Sequence, residues 1–240
     1  MIVLRSLCFS LGQVLATLVF AVLALFVAPF PFTVRYRVIS QWARFNLWWL
    51  ALTCNLRYRV DGAEHIPARN GIIFCKHQSA WETLALQCIF PPQVWVLKRE
   101  LLWIPFFGWG LALLEPIAID RDSPRRALRQ LLEQGAQRLA AGRWVVIFPE
   151  GTRVPPGEHR PFQNGGALLA ARTGYPVVPV AHNAGEYWPR RSFLKYPGTI
   201  RVVIGPPIES AGRSAQEINC EAEDWIRARM AEISAQARDP

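Results

Sequence analysis

The chain has 240 residues, a net charge of +9, and 51% hydrophobic against 19% charged residues. That length admits one large domain, or one domain with an appendage, and excludes a multidomain enzyme. The apolar excess excludes a disordered chain and points to contact with a membrane.

The basic excess lies mainly at the start: residues 1–60 hold Arg5, Arg35, Arg37, Arg44, Arg57 and Arg59 and no acid. Residues 6–34 carry no charge and residues 7–27 are almost wholly apolar. At about 1.5 Å per residue this stretch is long enough to cross a hydrocarbon core of roughly 30 Å. Pro29 and Pro31 end it, and no small-x-small cleavage site precedes the following arginines, so it reads as a retained anchor rather than a signal peptide. Residues 39–54 set Trp42, Phe45, Trp48 and Trp49 around Arg44 and Asn46, the pattern of an interfacial or re-entrant helix, and the flanking arginines favour the cytoplasmic side for the remainder of the chain. A basic, tryptophan-rich apolar segment suits an anionic lipid surface; nucleic acid is not expected as a partner, because the other arginines are interleaved with acids and no reading motif is present. The chain thus divides into a membrane-associated helical segment, residues 1–59, and a body, residues 60–240.

In the body, short apolar runs alternate with helical patterns, the signature of an α/β fold with a mostly parallel central sheet flanked by helices. Strands are expected at residues 72–75, 94–97, 117–119, 144–148, 177–181 and 200–204, and helices at 80–89, 124–141, 165–172 and 217–235. The strands are nearly all apolar, as in parallel sheets covered on both faces. The five cysteines are odd in number and irregularly spaced, which argues against a disulfide framework or a C-x-x-C metal site.

Carboxyl ends of parallel strands share one edge, where open α/β sheets place their sites. Four predicted strands run into Lys76-His77-Gln78-Ser79, Lys98-Arg99-Glu100, Asp120-Arg121 and Pro149-Glu150-Gly151-Thr152-Arg153. Of the four histidines, His65 and His159 sit in turn-rich loops and His182 is a weak candidate for a base. His77 lies between a strand and a helix start, with Glu82 five residues on, a carboxylate able to hold one ring nitrogen and leave the other free for a proton. The same glutamate completes a capping box with Ser79, so a purely structural role fits the spacing equally. Arg153 offers a planar fork for phosphate or carboxylate, or else an ion pair with Glu150; Lys98 and Arg121 alone would read as surface charges. Their convergence on one rim describes a site that grips a phosphorylated substrate and deprotonates a nearby hydroxyl. The motifs of serine hydrolases, nucleoside triphosphatases, dinucleotide oxidoreductases and zinc proteases are missing.

These residues resemble the glycerophospholipid acyltransferases typified by 1-acyl-sn-glycerol-3-phosphate acyltransferase. The family's H-x4-D block is matched by His77 to Glu82, its Lys-x-Glu-Leu element by Lys98-Arg99-Glu100-Leu101, its second block by Ile117-Ala118-Ile119-Asp120-Arg121, its third by Phe148-Pro149-Glu150-Gly151-Thr152-Arg153, and its strand with a central proline by Val178-Pro179-Val180. One departure is Glu82 in the aspartate position. The resemblance implies acyl transfer from acyl-CoA or acyl-ACP to the sn-2 hydroxyl of lysophosphatidic acid, in the family's α/β fold with a helical N-terminal motif. His77, oriented by Glu82, would be the base. Lys98 and Arg153, with Arg121 nearby, would bind the phosphate, and Glu150, Gly151 and Thr152 would shape that loop. It implies no metal or other cofactor, since a thiolate leaves readily, and a place on the cytoplasmic face of the inner membrane. Amides near Ser79 are candidate oxyanion donors, and the uncharged residues 101–114 would enter the interface, line an acyl groove or fill the core. Alternatives are another acceptor, such as glycerol 3-phosphate or a lyso-aminolipid, or a membrane-anchored binding protein with a degenerate site.

Overall fold

A computed structural model describes residues 1–120 and 122–236. Two long helices open the chain. Helix α1, Ile2–Val27, and helix α2, Phe32–Cys54, form a hairpin that turns at the proline-bearing residues 28–31. Helix α2 starts seven residues earlier than its aromatic cluster implies, because Phe32, Tyr36, Ile39, Ala43, Leu47 and Leu50 recur at helical spacing and form its buried stripe. Helix α1 has no such stripe. It buries chiefly small residues (Ser6, Ala16, Ala21, Ala24) and Phe9, while its leucines and valines face outward.

Among the described residues, seven strands form one sheet: β1 Leu56–Asp61, β2 Ile72–Cys75, β3 Gln93–Lys98, β4 Ile117–Ile119, β5 Trp144–Ile147, β6 Val177–His182 and β7 Gly198–Ile204, in the order β1-β7-β6-β2-β5-β3-β4. Strands β2 to β6 are mutually parallel, and β1 and β7 run the other way. The expected all-apolar parallel pattern fails at β7, which pairs antiparallel with β6 and alternates in burial. Its connection from β6 holds one short helix, α7 Ala184–Tyr187, rather than a long crossover helix, so the chain returns antiparallel. Strand β1 was not expected: Leu56, Tyr58 and Val60 alternate with Arg57, Arg59 and Asp61, a period-two pattern too polar to stand out.

Pro179 sits inside β6, where a missing N–H would normally break a ladder. Here the ladder to β7 covers only Val180 to His182, and Val177 bridges to Ile208, so Pro179 falls in the gap between them. Helices α5 Pro124–Ala140, α6 Gly165–Thr173 and α8 Ala215–Gln236 pack side by side on one face. Gly166 lets α6 approach β2: a Cβ there would lie 2.6 Å from the Phe74 ring. Helix α3, Trp81–Ile89, covers the other face with α2 against it. Residues 101–114 are core only in part: a 3-10 turn, Arg99–Trp103, leads into α4, Phe107–Leu113, with Trp103, Ile104, Phe106 and Trp109 exposed while Leu114 is buried in the core and Leu102, Leu111 and Leu113 pack against it.

Candidate active site

The shared edge of β2, β3, β5 and β6 gathers the predicted residues. Beyond β2, the Lys76 ammonium pairs with the Glu150 carboxylate, both buried. The other Glu150 oxygen accepts the His77 backbone N–H at 2.9 Å, and the His77 carbonyl accepts the Val154 N–H at 2.8 Å. The loop after β5 therefore clamps the His77 backbone from both sides. Phe148 of that loop stacks on the imidazole, with centroids 4.0 Å apart and planes 17° apart. Gly151 makes the turn possible, because its φ of +72° disfavours any side chain and a Cβ would strike Gln163 at 2.5 Å.

His77 Nδ1 lies 2.7 Å from Glu82 Oε1. Facing a carboxylate, Nδ1 carries the proton and donates, and Nε2 keeps its lone pair for the cavity. Glu82 also accepts the Gln78 N–H at 3.0 Å and the Ser79 N–H at 2.9 and 3.1 Å, while Ser79 Oγ accepts the Trp81 N–H at 3.2 Å. The capping role and the histidine contact thus coexist, and the longer glutamate reaches the imidazole without giving up the helix start. Burial pushes the Glu82 carboxyl up, but the imidazoles of His182 and His77 and the Ser79 amide outweigh it and leave the group below its usual range. The Gln78 and Ser79 amides, engaged with Glu82, do not serve as the oxyanion donors suggested by their position.

His182 is fully enclosed. Its Nε2 donates to the Lys76 carbonyl at 2.7 Å and its Nδ1 accepts the Ala184 N–H at 3.2 Å, which fixes a neutral tautomer. Burial lowers its basicity, and it does not line the cavity that holds His77.

His77 opens into a cavity of about 710 Å³ that is also lined by Lys98, Gly151, Thr152 and Arg153. Lys98 is half-exposed, 3.5 Å from Glu100. Arg153 Nε is buried without a hydrogen-bond partner. Glu150 is not on the cavity wall; it lies beneath His77, paired with Lys76 rather than with Arg153. Arg121 lies outside the described residues. Among the described residues no group of three His, Cys, Asp or Glu side chains converges as a metal ion would require. The far wall is apolar and comes from α1, α2 and α4, including Phe20, Ala21, Ile39, Trp42, Phe107, Leu111 and Leu114. Sequence reasoning missed Arg190 and Arg191, which also line the cavity, and Gln13 and Thr17 of α1. The signal for the arginines was available: they follow β6, whose carboxyl end shares the same edge.

Comparison with known proteins identifies the family. The family model described as Acyltransferase matches residues 57–183. A 1-acyl-sn-glycerol-3-phosphate acyltransferase of Pseudomonas aeruginosa is 50% identical over 236 residues, covering 96% of this chain and 92% of the relative. The enzyme of the same name from Cocos nucifera is 27% identical over 214 residues, covering 88% and 68%. Among solved structures, the 1-acyl-sn-glycerophosphate acyltransferase PlsC from Thermotoga maritima superimposes with a TM-score of 0.81 at 25% identity, covering 98% of this chain and 96% of that one. The histidine and arginine loops on one sheet edge, a family match over more than half the chain and a near full-length relative at 50% identity together show that this chain belongs to the 1-acyl-sn-glycerol-3-phosphate acyltransferase family and is an enzyme.

Proposed function

We propose that the protein transfers an acyl group from acyl-CoA or acyl-ACP to the sn-2 hydroxyl of lysophosphatidic acid, giving phosphatidic acid. One observation carries this reading: His77, with Nδ1 held by Glu82, opens into the same cavity as Lys98 and Arg153. The two cations bind the acceptor phosphate and bring its hydroxyl to Nε2, turning an encounter into a positioned reaction. Arg121, by its place in the second motif, assists. Nε2 takes the hydroxyl proton as the oxygen attacks the thioester carbonyl. The tetrahedral intermediate collapses, its C–S bond breaks, and the departing thiolate takes the proton back from the imidazolium. A thiolate leaves readily, so the step calls for no cofactor. Glu82 stabilises the transient imidazolium, and Glu150 acts by fixing the His77 backbone. The apolar wall from α1, α2 and α4 receives the fatty chain.

Residues 1–59 seat the active edge at the bilayer, and the basic residues beyond α1 set residues 60–240 on the cytoplasmic face of the inner membrane. Only 17% of the most apolar window of α1 is buried, which a soluble core helix would not tolerate. The test is thioester release across lysophosphatidic acid, glycerol 3-phosphate and a lyso-aminolipid. Lysophosphatidic acid should give the highest kcat/KM. A phosphate-free acceptor in first place would contradict the assignment of Lys98 and Arg153.

A further inference from the structure

Arg190 and Arg191 stand outside the motif blocks named above and beyond residues 57–183 matched by the family model, yet they line the cavity that holds His77. They occupy a tight turn after α7, closed by Ser192 N–H to the Pro189 carbonyl at 3.0 Å and by Tyr196 N–H to the Tyr187 carbonyl at 2.8 Å. Arg190 Nη1 donates to the Arg153 carbonyl at 2.9 Å, which ties this turn to the loop after β5. Arg191 has φ +61°, a left-handed conformation that glycine adopts freely and a long side chain does not. Backbone strain of this kind collects where a side chain is needed for function.

The charge count at the mouth points the same way. Among the described residues no carboxylate lies within ion-pair distance of Arg153, Arg190 or Arg191, and Lys98 has only Glu100 at 3.5 Å. A phosphomonoester carries about −1.5 to −2 at neutral pH. Lys98 and Arg153 balance one such group, which leaves the positive charge of Arg191 and of Arg190, one of whose N–H groups already meets the Arg153 carbonyl, without a counter-charge. The two pairs follow strands on opposite flanks of β2 and His77, Lys98 and Arg153 after β3 and β5, Arg190 and Arg191 after β6, and they meet where Arg190 bonds the Arg153 backbone. The reaction brings two substrates to one imidazole, and both candidate donors carry phosphate on the pantetheine arm.

We propose that the Arg190-Arg191 turn is the binding site for the phosphate of the thioester donor's carrier arm, separate from the acceptor phosphate site. This rests on the proposed acyl transfer to lysophosphatidic acid. Arg191→Gly removes the guanidinium while suiting the backbone, so the variant should melt no lower than wild type. Its KM for acyl-CoA should rise about tenfold, as expected for loss of a charge-assisted hydrogen bond, with KM for lysophosphatidic acid unchanged within about twofold. The penalty should vanish with an acyl-pantetheine donor, which lacks phosphate, and Arg191→Lys should recover part of it. An equal rise with acyl-ACP is expected, since both donors share the pantetheine phosphate; a rise with acyl-CoA alone overturns the assignment in favour of the nucleotide phosphates. The inference is overturned if the lysophosphatidic acid KM rises instead, if acyl-pantetheine shows the same penalty, or if nothing changes. Equilibrium binding of a non-hydrolysable acyl-CoA thioether, without acceptor, distinguishes the two readings. Wild type that binds the analogue more tightly than Arg191→Gly but acylates no lysophosphatidic acid refutes the acceptor assignment and keeps this site; equal binding by both refutes the site.

Discussion

At the scale of single residues, two buried carboxylates hold one imidazole. Glu82 meets the ring and Glu150 the backbone N–H, so the two substitutions should fail differently. Glu82→Ala removes the contact to Nδ1 and should raise the barrier by about 2–4 kcal/mol, whereas Glu82→Asp, shorter by one methylene, should keep substantial activity; full activity in Glu82→Ala would leave only the capping role. Glu150→Gln leaves the buried Lys76 ammonium without its counter-charge and should cost about 3–5 kcal/mol of folding stability, read by denaturant titration. The buried histidine sets a pH limit. His182 is less basic when folded, so below about pH 6.5 the unfolded chain binds the extra proton and the native state loses ground; its contribution is complete above that value. The depressed Glu82 carboxyl adds a second loss at lower pH, its contribution being complete above about 4.3 and lost as pH falls through the folded value. Melting temperature measured from pH 8 to pH 5 should therefore decline below about pH 6.5, and His182→Gln should flatten that first phase.

At the scale of elements, the first two helices act as a wall of the site. Gly12 lets α1 lie against α2: a Cβ there would fall 2.1 Å from Trp49 Nε1, whose N–H now donates to the Cys8 carbonyl at 3.2 Å. Gly12→Ala should spread the hairpin at a cost of about 1–3 kcal/mol and lower activity on long-chain donors more than on short ones, because Thr17 and Phe20 border the same cavity. The body was legible because its strands are short apolar runs with a charged tail at the carboxyl end, and that tail is what the shared edge collects. His77, Lys98, Gly151, Thr152 and Arg153 were found by this rule. Strand β1 escaped because its arginines mask the alternation, and α4 because an uncharged run has no polar face to give it a period. Arg190 and Arg191 escaped because a short helix separates them from β6. The Lys76–Glu150 pair is a contact between residues 74 positions apart, which no local pattern announces.

At the scale of the whole molecule, the helical hairpin both borders the cavity and presents an apolar surface outward. Leu11, Val14, Leu15, Val22 and Phe26 are each more than half exposed on α1, and Trp103, Ile104 and Trp109 add to the exposed apolar area. Exposed apolar side chains grouped in this way suit a membrane or partner surface. Replacing Leu11 and Leu15 by Asp should abolish co-flotation with anionic vesicles while leaving the circular dichroism of the sheet unchanged, since neither side chain contributes to the core. The most direct measurement of the role of His77 is single-turnover thiol release from acyl-CoA with lysophosphatidic acid, comparing wild type with His77→Ala at matched folded concentration. Wild type should release thiol rapidly, with one phosphatidic acid formed per thiol, and the variant should be slower by about 10² to 10⁴. Release at the wild-type rate from His77→Ala would contradict a general base at this position.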